Sequence, residues 1–378
     1  MSANASATQS PTRDALLVDS DLTHLLGSAI RSGWADRPVR PEQISPASID
    51  LRLGARGWRM RAGFLPGRAP VERTIRELAL SEFRLDGGAV FERGVAYLVE
   101  LEEELCLDGD LKGRFNPRSS TGRCDIFTRV LCDGHPRFDE TPVGYVGKLW
   151  IEIAPLSFPV RLARGDRLAQ LRLSRGNPAL DAEQLRELYA RTTLCFEGER
   201  PIPLSQARIG ADGTLELCVG LEGRNPCGWR SATHTDLVEF SREGAHAALD
   251  FWEPLRAREG RCILAPESFY IFASRERLVI PPDVAAEMLP IDVGIGELRN
   301  NYAGFFDNGF GWGGSGHGTP AVLEVRAHDV PFLVEDGQPF CRLRFFRTSS
   351  RPARLYGEGR ASYQGQDLTL ARCFRRDE

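Results

Sequence analysis

What this 378-residue chain lacks excludes several classes at the outset. No stretch approaches the roughly 18 apolar residues a membrane-spanning helix needs, so no membrane span is expected. Basic residues are not in excess: the formal net charge is −4 and the pI near 6.0, which argues against a general nucleic-acid binder. The nine cysteines are scattered and odd in number, and none forms a CxxC pair. This fits reduced thiols in the cytoplasm and neither a disulfide framework nor a zinc-thiolate site. The six histidines show no ligand spacing. Residues 1–16 are read as a disordered tail, because Met1 to Arg13 are rich in Ser, Ala and Thr without the basic-then-apolar order of a signal peptide.

Helical periodicity is also scarce. Asp21 to Arg31 and Leu180 to Arg191 carry it, whereas most of the chain reads as short strands punctuated by Gly, Pro and Asp. Val95–Leu101, Lys148–Ala154, Phe269–Ala273 and Val322–Arg326 are examples, and the pattern predicts an all-β barrel or jelly-roll-type architecture. The pattern also recurs. Glu152, Gly165 and Leu171 in the first half answer to Glu324, Gly337 and Leu343 in the second, each 172 residues later. A constant offset of that length means two copies of one domain. The Pro-rich, charged segment Glu197 to Ser205 is taken as the linker, giving a first domain over 17–196 and a second over 197–378.

The segment Asn116-Pro-Arg-Ser-Ser-Thr-Gly-Arg123 concentrates donors without an acid among them. Arginine bonds phosphate oxygens in a planar fork, and hydroxyls and backbone N–H groups fill the remaining acceptors. A solvated polar turn would read the same in isolation. Its neighbours give it meaning. Gln43 to Gly54 (QISPASIDLRLG), Arg118-Ser119-Ser120 with Arg123, Phe138-Asp139 with Gly144-Tyr145, and Leu149-Trp150-Ile151-Glu152 occur in this order. Together they resemble the dCTP deaminases of the dUTPase-like superfamily, in a long, two-domain form, most clearly over residues 17 to 175.

That resemblance implies tandem dUTPase-like domains and hydrolytic deamination of dCTP to dUTP and ammonia. It implies that Arg118 and Ser120 bind the triphosphate, that Ser119 fixes the attacking water, that Arg123 faces the base and that Glu152 is the general base. Asp139 would meet the deoxyribose and Tyr145 would stack beneath it, although Glu140 to Val143 interrupt the family's Asp-Pro-Gly motif here. A carboxyl buried in the strand KLWIEIA would be desolvated and could shuttle protons near neutral pH. Alternation alone puts Glu152 on either face, beside Trp150 and opposite Ile151 and Ile153. Zinc deaminases instead use an HxE…PCxxC signature, which is missing. Water activation is therefore expected without metal, and magnesium to arrive with the triphosphate, octahedral and partly hydrated.

In the second copy the place of the phosphate loop reads Leu289-Pro-Ile-Asp-Val-Gly-Ile-Gly296, without the arginine-serine pair, while Asp307 and Glu324 persist. This copy is expected to have lost its triphosphate site and to act as scaffold. The run Leu355 to Gln366 resembles the superfamily's closing tail, with Tyr356, Tyr363 and Gln366 as nucleotide contacts. Sites in this superfamily lie between subunits, so the duplicated chain would supply both walls itself or do so across a homo-oligomer. A dUTPase, an enzyme performing both steps, and a non-catalytic nucleotide-binding regulator are the competing readings.

Overall fold

The protein is described from a computed structural model covering residues 14–67, 69–290, 298–300 as backbone, 304–313, 316–327, 330–358 and 363–375. It is built almost wholly from strands, and the strand positions carry the repeat. Tyr97–Cys106 and Arg167–Arg175 of the first half correspond to Phe269–Leu278 and Pro339–Arg347 of the second, shifted by 172 at both ends. In the first half the strand order runs Ala15–Leu16, Arg167–Arg175, Ser48–Met60, Tyr97–Cys106, Val146–Pro155, Ile126–Cys132. In the second, Thr319–Ala327 pairs antiparallel with Phe269–Leu278, as Val146–Pro155 does with Tyr97–Cys106.

Four α-helices are described: α1 (Asp19–Leu25), α2 (Val71–Leu78), α3 (Ser119–Arg123) and α4 (Ala182–Arg191). The helical reading of Asp21 to Arg31 overshoots, because Leu26 leaves the helix in extended conformation and Ile30–Ser32 pairs with Tyr97–Cys106. α4 falls where its periodicity predicts it, started by an Asp181 side chain that accepts from the Gln184 N–H. It packs through Leu185, Leu188 and Tyr189 into the second half's core, so that core begins at about residue 180 and ahead of the expected linker. Residues 1–13 lie outside the description, but Ala15 and Leu16 are strand residues paired with Arg175 and Ser174. No described helix is long and apolar enough to cross a membrane.

Alternation decides which side chains enter which core. In Val146–Pro155, Leu149, Ile151 and Ile153 point into the main core of the first half. Trp150 and Glu152 point the other way, Trp150 into a smaller cluster with Trp58, Leu98 and Leu131 beneath α2. In Thr319–Ala327, Leu323 and Val325 enter the second half's core, and Val322 on the opposite face packs against the first half. Corresponding faces of the two copies are thus covered differently: in one by the same half's α2 and the 61–67 loop, in the other by the neighbouring half. The halves share apolar material. Phe158 of the first meets Phe251, Trp252 and Phe374 of the second in edge-on aromatic contacts. Each side chain of this kind adds about 1.5–3 kcal/mol when fully buried. A buried ion pair, Arg172 to Glu287 at 2.6 Å, crosses the same junction.

Candidate active site between the halves

α3 is placed by its flanks. The strand Leu111–Pro117 runs antiparallel to Arg167–Arg175 and ends at Pro117, which has no N–H to continue the ladder. Arg118 N then donates to Leu168 O at 2.8 Å, and Thr121 Oγ1 donates to the same carbonyl at 2.8 Å. The start of the helix is thus held to one carbonyl of the neighbouring strand. Arg118, Ser119 and Ser120 line a cavity of about 870 Å³ whose walls come from both halves. From the first half come Asp50 and Arg167; from the second come Phe305, Asp307, Arg354, Tyr356 and Arg372. Asp50 accepts from Arg118 Nε at 3.0 Å and lies 3.5 Å from Arg167 Nη1, so one carboxylate gathers two guanidinium groups at the cavity wall.

Opposite α3 stands Glu324, not Glu152. A methyl group on Gly122 would lie 2.7 Å from Glu324 Oε2, which measures how closely the carboxyl packs on the helix. Burial pushes that carboxyl up to about 8, Arg123 pulling it down and Asp125 pushing it further up. Glu152 is engaged elsewhere. Its Oε1 accepts from Arg129 Nη2 at 2.7 Å, and residue 63 presses on its other oxygen, where a Cβ would lie at 2.5 Å. Arg129 in turn stacks on Phe138 at 3.9 Å. The expectation that Glu152 faces the 118–123 segment is therefore not met within the chain, because the first half covers that face of its own strand.

Asp139 and Tyr145 follow the same logic. Asp139 Oδ1 accepts from Val130 N at 2.8 Å, and Tyr145 donates to Lys148 O at 2.6 Å within the first half's core. Neither lines the cavity. Its second-half counterpart Asp307 does, held by Ala47 N at 2.8 Å and pushed up to about 7 chiefly by burial. The second copy thus brings Glu324 against α3 and Asp307 to the cavity wall. A signal for this was present in the sequence, since the copy lacking the arginine-serine pair had kept both acids. Residues 291–297, where that copy's loop was sought, lie outside the description.

The C-terminal run lies over the same place. Ser120 Oγ and Tyr363 Oη share a hydrogen bond of 2.7 Å, and the Arg123 guanidinium sits 3.7 Å from the Tyr363 ring centre. Arg123 Nη1 donates to Thr369 O at 2.9 Å, while its buried Nε has no hydrogen-bond partner among the described residues. Tyr356 lines the cavity, its hydroxyl pushed up to about 12 by burial. Gln366 is half-buried on the same tail but is not a cavity-lining residue; it is Gln364 that anchors the tail, accepting from Gly311 N at 3.0 Å. Chemically the site offers hydroxyls and guanidinium groups for an anion at one end. Glu324 and Arg123 are not among the cavity-lining residues; they are buried against each other at α3, where the carboxyl is pushed up to about 8.

Comparisons with known proteins agree with this division of the chain. Residues 14–177 match the profile of the N-terminal domain of 2'-deoxycytidine 5'-triphosphate deaminase, and residues 181–374 that of its C-terminal domain. Among solved structures, a 2'-deoxycytidine 5'-triphosphate deaminase from Agrobacterium tumefaciens superposes with a TM-score of 0.84 at 40% identity, covering 92% of this chain and 99% of that one. A dUMP-forming dCTP deaminase of Beutenbergia cavernae is 35% identical over 108 residues, which is 28% of this chain and 53% of the relative. A dCTP deaminase of Haloarcula marismortui is 31% identical over 138 residues, 34% of this chain and 65% of the relative. The chain thus matches about half to two thirds of the length of these curated relatives.

Proposed function

Because the chain belongs to the 2'-deoxycytidine 5'-triphosphate deaminase family, we propose that it hydrolyses the 4-amino group of dCTP, yielding dUTP and ammonia. The observation that carries this reading is the buried carboxyl of Glu324 packed on the helix that bears Arg118, Ser119, Ser120 and Arg123. Glu324, and not Glu152, is the general base and acid of this proposal. Its carboxylate takes a proton from the attacking water, gives it to N3 of cytosine, and later assists the departure of ammonia. A group whose proton affinity lies near the working pH serves both directions. Arg123 stabilises negative charge that develops at the attacked ring, in a site from which water is largely excluded. Arg118 and Ser120 hold the triphosphate, Ser119 orients the water, Asp307 accepts from the sugar hydroxyl, and Tyr356, Tyr363 and Gln366 close the tail over the nucleotide.

Magnesium enters in this reading as part of the nucleotide complex. The described residues contain no group of three His, Cys, Asp or Glu suited to a metal, and Asp50 is already engaged by two arginines. Phosphate oxygens and waters would complete its octahedral shell. The chain is placed in the cytoplasm, which suits its nine free thiols. Assembly into a homo-oligomer would add neighbours to the cavity without being needed to supply its acid, since α3 and Glu324 meet inside one chain.

Incubating the protein with dCTP and with dUTP in separate reactions tests the assignment. Ammonia from dCTP is the expected product. Pyrophosphate from dUTP without ammonia from dCTP would replace the reading with a dUTPase, and tight dCTP binding without turnover would replace it with a regulator.

A further inference from the structure

The strand that carries Glu324 presents a second charged residue on the same face. Arg326 lies two positions along Thr319–Ala327, and strand geometry turns residues i and i+2 the same way. Its Nη2 donates to Asp125 Oδ2, an oxygen that also accepts from Ser157 Oγ at 2.6 Å, and its Nη1 donates to the Glu267 carbonyl. Asp125 is completely buried and follows the C-cap of α3, Cys124. Its N–H closes on Gly122 O at 2.8 Å, and its carbonyl accepts from Leu156 N at 2.9 Å.

The backbone at Asp125 makes this residue type conspicuous. Its φ is +52°, in the left-handed region that glycine adopts freely and that few other residues occupy without cost. Aspartate is among the few non-glycine residues that visit this region, so the turn accounts for its backbone but not for its full burial. A buried carboxylate at that φ is explained by what it holds: a guanidinium from the other half, two residues beyond the acid of the site.

We propose that Asp125 and Arg326 form a positioning pair, which locks the exit of α3 to the strand of Glu324 and so sets the distance and charge balance between Arg123 and that acid. The inference rests on the deaminase reading for its meaning in turnover. The groups that face Glu324 are few. α3 and its exit supply Arg123, Cys124 and Asp125, the tail lays Tyr363 over Arg123, and its own strand supplies Arg326. The adjacent strand puts Ile271 in register with it, an apolar neighbour. Arg123 favours ionised Glu324, Asp125 disfavours it, and of the pair it is Asp125 whose charge weighs on the carboxyl. Removing the pair therefore leaves Arg123 less opposed and moves the ionisation of Glu324 to lower pH.

The test is the double variant Asp125→Gly/Arg326→Met. Glycine accepts the positive φ, and methionine keeps much of the side-chain length without leaving a buried charge unpaired. Two readouts are taken. The first needs no substrate: the pH above which the Tm difference between Glu324→Gln and its parent stops growing, which marks the ionisation of Glu324 in the folded chain, measured by thermal unfolding in the wild-type and in the double-variant background. A move of that upper limit toward acid of about one pH unit is expected, and an unchanged limit overturns the proposal. The second is turnover of dCTP, expected to fall roughly 10–100-fold in kcat with KM little changed, as for a misplaced catalytic group. Full kcat in the double variant would equally overturn it. If wild-type protein releases no ammonia from dCTP, the deaminase reading fails while the first readout still decides the pairing. Should the double variant not fold, Arg326→Lys, which keeps the charge but loses the fork to Glu267, is expected to lower kcat with KM preserved. Undiminished kcat there would refute the role.

Discussion

Replacing Glu324 by glutamine separates its chemical role from its burden on the fold. The wild-type carboxyl is pushed up from 4.5 to about 8, chiefly by burial. Between those two values the unfolded chain has released the proton and the folded chain keeps it, so folding binds a proton and stability declines as pH rises. Across that interval of about 3.5 pH units, at about 1.36 kcal/mol per unit, the decline reaches about 5 kcal/mol as an upper bound. It is complete above pH 8 and absent below pH 4.5. Glutamine does not titrate, so Glu324→Gln should escape this decline whatever fixed cost its amide brings. Asp307 and Asp139, each pushed up to about 7, titrate in both proteins and cancel in the comparison. For a chain of this size 1 kcal/mol moves Tm by about 1–2 °C. Of that decline about 4 kcal/mol falls between pH 5 and pH 8.5, so the difference in Tm, variant minus wild type, should grow by about 4–8 °C over that range, read by differential scanning calorimetry. On the same preparations ammonia release should fall by about 10²–10⁴-fold, the usual loss for a missing general acid–base. Parallel Tm curves together with near-normal turnover would refute the assignment of Glu324.

Glu152→Gln should keep turnover within about threefold while costing about 1–3 kcal/mol, because Arg129 loses a charged acceptor at a partly exposed site; a loss of turnover comparable to that of Glu324→Gln would restore Glu152 as the acid. Arg118→Ala should raise KM for dCTP by about 10–100-fold, the worth of a charge-assisted hydrogen bond, and leave deoxycytidine affinity nearly unchanged; equal losses for both ligands would remove its phosphate role. Tyr363→Phe keeps the ring on Arg123 but gives up the hydrogen bond to Ser120, whereas Tyr363→Ala gives up both. KM should rise only a few-fold for phenylalanine and by a further factor of about 30 for alanine, the value of a desolvated cation–π contact of about 2 kcal/mol between two buried side chains; identical KM values for the two variants would show that the ring contributes nothing.

Much of this protein could be read along the chain. Alternating Leu149, Ile151 and Ile153 in a strand bounded by turn residues specify a β element with one face in a core, and the structure has that strand. The constant offset of 172 appears again in the strand boundaries. Arg118, Ser119 and Ser120 line the cavity, because a proline-ended strand followed by a hydroxyl-rich turn is a local feature. The chain direction was less informative at α2, where Val71–Leu78 follows a Pro- and Gly-rich run that obscured its periodicity.

Sequence by itself determined the all-β architecture, the duplication and the cluster of hydroxyl and guanidinium donors, since each depends on residues close together or on a repeated period. It could not determine which of two acids packs against that cluster. Glu152 and Glu324 have the same period, the same strand and the same place in their copies, so local pattern treats them alike. What distinguishes them is the covering of one sheet face: residue 63 and Arg129 close over Glu152, while α3 from the other half closes over Glu324. That choice is made by contacts spanning some 200 residues, where shared apolar burial between the halves orients one copy against the other, and only the tertiary structure decides it.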